Sequence, residues 1–434
     1  MKLFSSIASA LWGDMTAQEG KKFGLLSLIF CFLIGSYWVI RNMKTPIFMK
    51  FIGSTYLPYA SMLSVGFMIF FIMFYSKLVD LFEKHKLVYI LTIGYSLIFL
   101  MVTFLLQHPT IGLPNTTPSK NRLFGWILYI IIETFGSFMP ALFWSFVNST
   151  VDQASAKKGY GFIIFGAQFG SILGCVIDMQ ATRIGMQLLF VIATLGIVIT
   201  PLLVYYFVSH YPTAPVAADK PSQATGFLEG LRLLVSRPYL LGILGISTLF
   251  EVVGAIIDYQ MHTLSNVAFP TAARVTEFEA LFGLFTNGLT MTFAIVGTSF
   301  FLRIFGIRIS LIAYPIAVAC AVAIMWAFHG LWVIMFTMVV IKGLSYSLNN
   351  PCRDIMYIPT SKDIRFKVKG WIDTIGMRSA KSVGAATTTF FPVMSQLVVY
   401  GSLISFGVIG VWILAALYVG KAHQKLTQTQ TIIE

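Results

Sequence analysis

The sequence has few charged residues. Asp, Glu, Lys and Arg make up 11% of its 434 residues, whereas a soluble domain contains about 25%. Apolar runs of about 20 residues recur along the whole length, and each is long enough to cross a bilayer as a helix. The composition predicts a polytopic helical membrane protein. The absence of alternating ten-residue segments argues against an outer-membrane barrel.

The chain also lacks the motifs of several enzyme classes. It contains no GxxxxGK[ST] phosphate loop and no HExxH, and no serine-centred nucleophile elbow. Its four cysteines show neither metal-ligand spacing nor a disulfide framework; they are Cys31, Cys175, Cys320 and Cys352. We therefore expect no enzyme activity, no metal and no cofactor. Any transport would be driven by gradients or by exchange rather than by ATP hydrolysis.

Twelve membrane spans can be placed on the apolar runs. They lie at 23–43, 56–76, 87–107, 124–148, 160–180, 186–208, 239–264, 278–301, 309–328, 331–350, 371–397 and 400–420. A segment rich in Pro, Ala and polar residues separates the sixth span from the seventh. The predicted domains are a lead-in at 1–22, six-helix halves at 23–208 and 238–420, a linker at 209–237 and a tail at 421–434.

The lysines and arginines are distributed unevenly between the predicted loops. Of 30 in the chain, 20 fall on the side that holds the N-terminus and seven on the other side. Basic residues are retained in cytoplasmic loops, so both termini are predicted to be cytoplasmic. The net charge of +13 then reflects membrane topology, and we expect no nucleic-acid partner and a monomer in the bilayer.

Two stretches in the predicted halves resemble each other. AKKGYGFIIFGAQFGSILG follows the fourth span, and KVKGWIDTIGMRSAKSVGA follows the tenth. When Gly159 is laid on Gly370, Glu133 falls within two residues of Lys342. Parallel six-helix repeats are typical of major-facilitator-type carriers, in which the substrate is held midway between the halves. We therefore predict an all-α, major-facilitator-like fold of two pseudo-symmetric halves.

Glu133 is predicted to lie deep in the fourth span. A charge at bilayer depth costs about 2.5–3.5 kcal/mol on insertion scales, so each such residue needs a reason. Two roles remain open for Glu133. It could pair with a lysine to fix helix packing, or it could take part in the transport cycle.

Arg378 and Lys381 are three residues apart, so they share one face of a predicted helix. Small residues around them, including Ser382 and Gly384, permit close approach of a ligand or of another backbone. A guanidinium and an ammonium on such a face suit a phosphate or a carboxylate. The alternative is a cation pair neutralised by Glu133 or Asp258 in an empty core.

Glu251 and Asp258 are seven residues apart in the seventh span, about two helical turns, so both can face one cavity. His262 lies one turn beyond Asp258 on the same face. Either carboxylate could bind a coupling proton, and Glu251 could equally be a helix-packing partner. Lys44, with Arg41 beside it, ends the first span and could be an anchor that reaches the membrane surface.

Several strings in the chain resemble the ATP/ADP antiporter family, the nucleotide transporters of plastids and of obligate intracellular bacteria. The longest is NPCRDIMYIP at 350–359 with Asp363, Lys367 and GMRSAKSVGA at 376–385. Shorter ones are ETFGSFMPALFWSFVN at 133–148, IRNMKTPIF at 40–48, IIDYQMH at 256–262 and LPYASMLSVGFMIFFIMFYSKL at 57–78. The resemblance covers nearly the whole chain, which is shorter than is usual for the family.

The resemblance implies a carrier that exchanges nucleotides across an inner membrane without hydrolysing them, in a bacterium rather than a plastid envelope. It places the family's membrane charges on Lys44, Glu133, Asp258 and Lys381. His262 stands where the family has a lysine, and Asn42 where it has an aspartate. The predicted substrate-binding residues are Lys44, Glu133, Asp258, His262, Arg378 and Lys381. The predicted second tier, of gate residues, comprises Arg41, Asn148, Glu251, Lys342 and Arg353.

Two other functions stay open from the sequence. The first is proton-coupled transport of another organic anion or a nucleoside, with Glu133, Glu251 or Asp258 as the proton site. The second is a membrane receptor or scaffold that transports nothing, which the buried charges disfavour.

Overall fold

A computed structural model describes residues 16–151, 153–211, 227–293, 298–391, 393–430 and 432–433. These residues form helices and loops, with one isolated bridge between Thr360 and Ile433. Among them, nine helices are long and apolar enough to cross a membrane, and Leu331–Leu344 is a shorter apolar helix. The protein is thus an all-α integral membrane protein, as predicted, while the number of twelve spans stays a prediction.

The chain forms two compact units. Unit 1 comprises Met1–Gly53, Gly66–Asp219 and Phe269–Asn287, and unit 2 comprises Ser54–Val65, Lys220–Ala268 and Gly288–Glu434. Two short segments differ from the predicted halves. Ser54–Val65 was expected with unit 1 but clusters with unit 2, and Phe269–Asn287 was expected with unit 2 but clusters with unit 1. The predicted linker boundaries stay a prediction, because residues 212–226 lie outside the described residues.

Six long helices precede the predicted linker. They are α1 (Ala17–Phe51), α2 (Leu57–Leu81), α3 (Lys84–Leu105), α4 (Leu123–Thr150), α5 (Gln153–Asp178) and α6 (Met186–His210). Short helices occur at Ser54–Tyr56 and Ala181–Ile184. The first helix begins earlier than the predicted span because Thr16 and Glu19 form a capping box, which satisfies free backbone N–H groups of the first turn. The predicted lead-in at 1–22 is therefore helical from residue 17.

The later part of the chain begins with a short helix at Phe227–Ser236. The long elements that follow are α7 (Pro238–Ala268), α8 (Ala272–Thr292), α9 (Thr298–Ala327), α10 (331–356), α11 (362–389) and α12 (Met394–Gln428). The eleventh predicted span extends to 397, but the helix ends at Thr389. Phe391 precedes Pro392 in the sequence, and the residue before a proline is disfavoured in helical conformation.

Both α10 and α11 contain a π-helical turn. In α10 it covers Ser345–Asn349, and in α11 it covers Ile372–Gly376. Such turns insert an extra residue into a helix and occur frequently at functional sites. The two turns lie on either side of the segment NPCRDIMYIP at 350–359. The irregular backbone of this region therefore lies close in sequence to its basic residues.

Glycines allow α1 and α5 to pack with their backbones in contact. A Cβ atom at Gly170 would collide with the carbonyl oxygen of Cys31, and one at Gly174 would lie 2.6 Å from the carbonyl oxygen of Gly35. Gly166, Gly170 and Gly174 are spaced four apart, so they form one small-residue stripe along α5. In unit 2, Gly384 of α11 likewise lies against Val252 of α7.

We expect Gly170→Ala to destabilise the protein by about 1–3 kcal/mol, because the methyl group has backbone rather than a movable side chain in its way. Gly94→Ala is the matched control, since a Cβ there would meet nothing within 4 Å. Thermal unfolding in detergent should show a lower midpoint for Gly170→Ala and an unchanged or higher one for Gly94→Ala. Equal midpoints for the two variants would contradict this packing.

Candidate substrate site

In unit 1, Lys44 of α1 forms an ion pair with Glu133 of α4. The Lys44 side chain is 12% exposed and that of Glu133 is 24% exposed, so the pair is largely removed from solvent. The ammonium also lies 4.4 Å from the centroid of the Tyr129 ring, an arrangement that adds cation–π attraction. Lys44 is therefore held inside the unit, and it is not an anchor reaching the membrane surface.

The ion pair with Lys44 is compatible with a role for Glu133 in a conformational change. Removing one partner of a buried ion pair costs about 3–5 kcal/mol, because the other charge stays in a low dielectric. A ligand that supplies a compensating charge would lower that cost. The further prediction that Glu133 pairs with Lys381 stays a prediction.

A polar cluster at the ends of α1 and α5 was missed from the sequence. The Asn42 amide donates to Oδ2 of Asp178 at 3.0 Å and lies 3.7 Å from the Cys175 sulfur. Asp178 is fully buried, and its Oδ1 has no hydrogen-bond partner among the described residues. Its position near the end of a predicted span concealed it, because a terminal carboxylate is usually exposed to water.

Arg41, predicted as a second-tier residue, lies one residue before Asn42. Its guanidinium stacks over the Trp38 ring, with 4.4 Å from Cζ to the ring centroid. A position over an aromatic ring suits a planar guanidinium better than an ammonium. The sequence placed the charge at the end of the first span, but it did not single out this ring as its partner.

In unit 2, the predicted charges of α7 form contacts with a histidine and a lysine. Asp258 Oδ2 lies 3.3 Å from His262 Nε2, which confirms that the two residues share a helix face. Glu251 Oε2 lies 3.4 Å from the ammonium of Lys342 on α10. Glu251 is therefore a partner of a lysine, one of the two roles left open for it.

The second lysine of this cluster is Lys381 on α11. Lys381 and Lys342 both lie within electrostatic range of the Asp258 carboxylate. Lys381 is half-buried, and within the described part of the chain its ammonium has no hydrogen bond or ion pair closer than 4 Å. Arg378 is half-buried one helical turn before it. The cluster thus contains an ammonium whose attraction to the Asp258 carboxylate acts over more than salt-bridge distance.

The ion pairs of the two units have opposite polarity. In unit 1 the lysine is on the first helix and the glutamate on the fourth, whereas in unit 2 the glutamate is on the first helix of its half and the lysine on the fourth. The sequence echo had brought Glu133 close to Lys342 in the alignment of the halves. The structure gives each of these two residues a partner within its own unit.

The end of α10 and the first part of α11 are joined by two further ion pairs. Arg353 Nη1 lies 3.4 Å from Asp373 Oδ1, and Lys369 Nζ lies 2.9 Å from Asp354 Oδ1. Burial raises the pKa of the Cys352 thiol to about 12, so this thiol is protonated at neutral pH. Arg353 is buried with its charge paired, which fits the predicted scaffold or gate role.

The corresponding connection in unit 1 is held by a neutral contact. The Tyr160 hydroxyl donates to Oδ1 of Asn148 at 2.5 Å, and this joins the end of α4 to the start of α5. Asn148, predicted as a gate residue, therefore contacts the residue that the echo aligns with Trp371. Among the described residues, no group of three or more His, Cys, Asp or Glu could hold a metal ion.

Comparisons with known proteins agree on one family and one fold. Residues 321–423 match the family described as TLC ATP/ADP transporter. The chain is 22% identical to ADP,ATP carrier protein 1 of Rickettsia prowazekii, over 97% of both chains. It is 23% identical to the chloroplastic ADP,ATP carrier protein 2 of Arabidopsis thaliana, over 91% of this chain and 74% of that one.

Solved structures show the same architecture. The crystal structure of the nucleoside transporter NupG matches 92% of this chain and 99% of that chain, with a TM-score of 0.61 and 15% identity. This likeness confirms the predicted major-facilitator-like fold.

The Lys44–Glu133 pair makes a charge-reversal experiment informative. We expect Lys44→Glu and Glu133→Lys each to lower the unfolding midpoint, since each places two like charges together at a cost of about 3–5 kcal/mol for the broken pair. The doubly reversed protein should regain most of the loss. Thermal unfolding in detergent measures all four proteins.

The same assay separates this pair from the competing one. Lys381→Glu combined with Glu133→Lys is the comparison, because it restores opposite charges only if Glu133 faces Lys381. Recovery in that combination, with none in the reversed Lys44/Glu133 protein, would show that Lys44 is not the main partner of Glu133.

Proposed function

We propose that this chain is a member of the TLC ATP/ADP transporter family, which residues 321–423 match, and a secondary carrier that exchanges phosphorylated nucleotides, ATP and ADP or related ones, across a membrane. It does so by alternating access and catalyses no reaction of its own. The membrane is a bacterial inner membrane, with both chain termini in the cytoplasm and the carrier a monomer. The similarity to ADP,ATP carriers and the buried charges support this proposal.

The observation that best supports an anionic substrate is the half-buried Lys381 ammonium. Its neighbours Asp258 and Lys342 already have partners in His262 and Glu251. A substrate phosphate can therefore bind Lys381 without first breaking an ion pair. Arg378, one turn away, would add a guanidinium whose fork matches two phosphate oxygens.

The paired charges supply the difference between the loaded and the empty carrier. With no substrate, Lys44 is neutralised by Glu133 and Lys342 by Glu251. A polyphosphate that attracts either lysine weakens its pair with a carboxylate. A ligand shifts a conformational equilibrium only through such differential interactions, so exchange of one ion pair for another would couple substrate binding to the change of access.

His262 gives the site less positive charge than a lysine would give. Histidine is largely neutral at pH 7 unless its surroundings stabilise the cation, and here it lies beside the Asp258 carboxylate. We propose that this contact orients the imidazole for hydrogen bonding to the nucleotide. His262 is 7% exposed, so any such contact is with a ligand inside the protein.

A second candidate function, proton-coupled uptake, is favoured by Asp178. This carboxylate is fully buried and has one oxygen with no partner among the described residues. Burial without a cation favours the neutral form of a carboxyl group. A pH gradient that drives nucleotide uptake into liposomes containing no counter-substrate would support proton coupling over exchange.

We expect Lys381→Ala to reduce uptake of labelled ATP into ADP-loaded proteoliposomes by tenfold or more, since loss of one buried charged contact costs about 2–5 kcal/mol. Lys425→Ala is the matched control, because that lysine is exposed near the end of α12. Unfolding midpoints of both variants establish that they are folded. Uptake by folded Lys381→Ala at the rate of the control would overturn the assignment of Lys381.

A further inference from the structure

A groove lies in unit 2 between the start of α9 and the end of α12, away from the charges described above. Its volume is about 600 Å³. We call its apolar residues Phe305, Ile309 and Ile312 the apolar wall, and Arg308 of α9 with His423 and Gln424 of α12 the polar wall. The apolar wall faces outward in part, since Phe305 is 42% exposed and Ile309 is 54% exposed.

Two glycines give the groove its shape. Gly306 has φ +68° and interrupts the helix Thr298–Ala327, a conformation that glycine adopts without the strain of other residues. Gly420 of α12 lies against Arg308, so that a Cβ at Gly420 would be 3.2 Å from Cγ of the arginine. The aliphatic part of the Arg308 side chain therefore packs against α12 at Gly420, and Arg308 lines the groove.

The polar wall contains hydrogen-bonding groups that face no carboxylate. His423 is 7% exposed, and its Nε2 has no hydrogen-bond partner among the described residues. Arg308 is exposed, and no carboxylate of the described chain lies within 4 Å of it. The groove lining contains no Asp or Glu. A guanidinium beside a lining without carboxylates favours a ligand that supplies negative charge.

The position of the groove indicates the class of that ligand. Ile304–Ala327 and Met394–Gln428 are both candidate membrane spans, and the groove is lined by the first residues of one and the last residues of the other. It therefore lies where a span meets the membrane surface. Lys421 and Lys425, exposed on the same stretch of α12, add positive charge beside it.

We infer that this groove binds one anionic phospholipid. The lipid phosphate would accept from Arg308 and Gln424, and an acyl chain would lie along Phe305, Ile309 and Ile312. A polar headgroup with an apolar tail matches the two walls, whereas a soluble phosphate would leave the apolar wall in contact with water. The inference does not depend on which solute the carrier transports.

Native mass spectrometry of the purified full-length carrier tests the inference. The protein is equilibrated in micelles with phosphatidylglycerol or with phosphatidylcholine, and the retained lipid is counted. We expect one phosphatidylglycerol to be retained and Arg308→Ala to reduce its affinity about fivefold, the factor for ~1 kcal/mol from one basic residue at a charged membrane surface. Arg308 is exposed, so the variant should fold normally.

Lys421→Ala is the matched control, because Lys421 lies on the same helix but does not line the groove. Equal loss of phosphatidylglycerol in this control and in Arg308→Ala would overturn the inference, since general surface charge would then explain the binding. Equal retention of phosphatidylcholine would overturn it as well. Displacement of the lipid by glycerol phosphate at similar concentrations would show a soluble-anion site instead.

Discussion

The structure depends on the pairing of charges that the bilayer would otherwise exclude. An isolated charge in a low dielectric is expensive, and only a partner with good geometry offsets its desolvation. Lys44 with Glu133 and Glu251 with Lys342 meet this requirement, one pair in each unit. Helix positions follow from it, because α1 must bring Lys44 to α4 and α7 must bring Glu251 to α10.

The second unit has an excess of positive charge at its cluster. Two carboxylates, Glu251 and Asp258, stand against three permanent cations, Lys342, Arg378 and Lys381. In the first unit one lysine is matched by one glutamate. The ion pairs of the two units therefore differ in polarity, and the cluster of unit 2 contains more cations than carboxylates.

The helical fold, its apolar character and most of the buried charges could be predicted from the sequence, because a membrane imposes long apolar runs in which every charge stands out. The ion-pair partner of each buried charge could not be predicted from the sequence. Lys44 was open to interpretation as a surface anchor, since depth depends on where α1 ends and on the tilt of the helix. Asp178 escaped notice for the same reason, and the end of α11 was placed at 397 because apolarity continues past Thr389. The groove at Gly306 depends on a backbone conformation that composition does not encode.

Each of these ion pairs lies within one unit, and this bears on the insertion of the chain into the membrane during synthesis. Lys44 and Glu133 are separated by 89 residues and both precede the second half of the chain. Ribosomal synthesis proceeds from the N-terminus, and N-terminal segments fold first. The lysine of the first helix can thus find its carboxylate as soon as the fourth helix enters the membrane. The Lys44–Glu133 pair therefore does not depend on helices that are translated later.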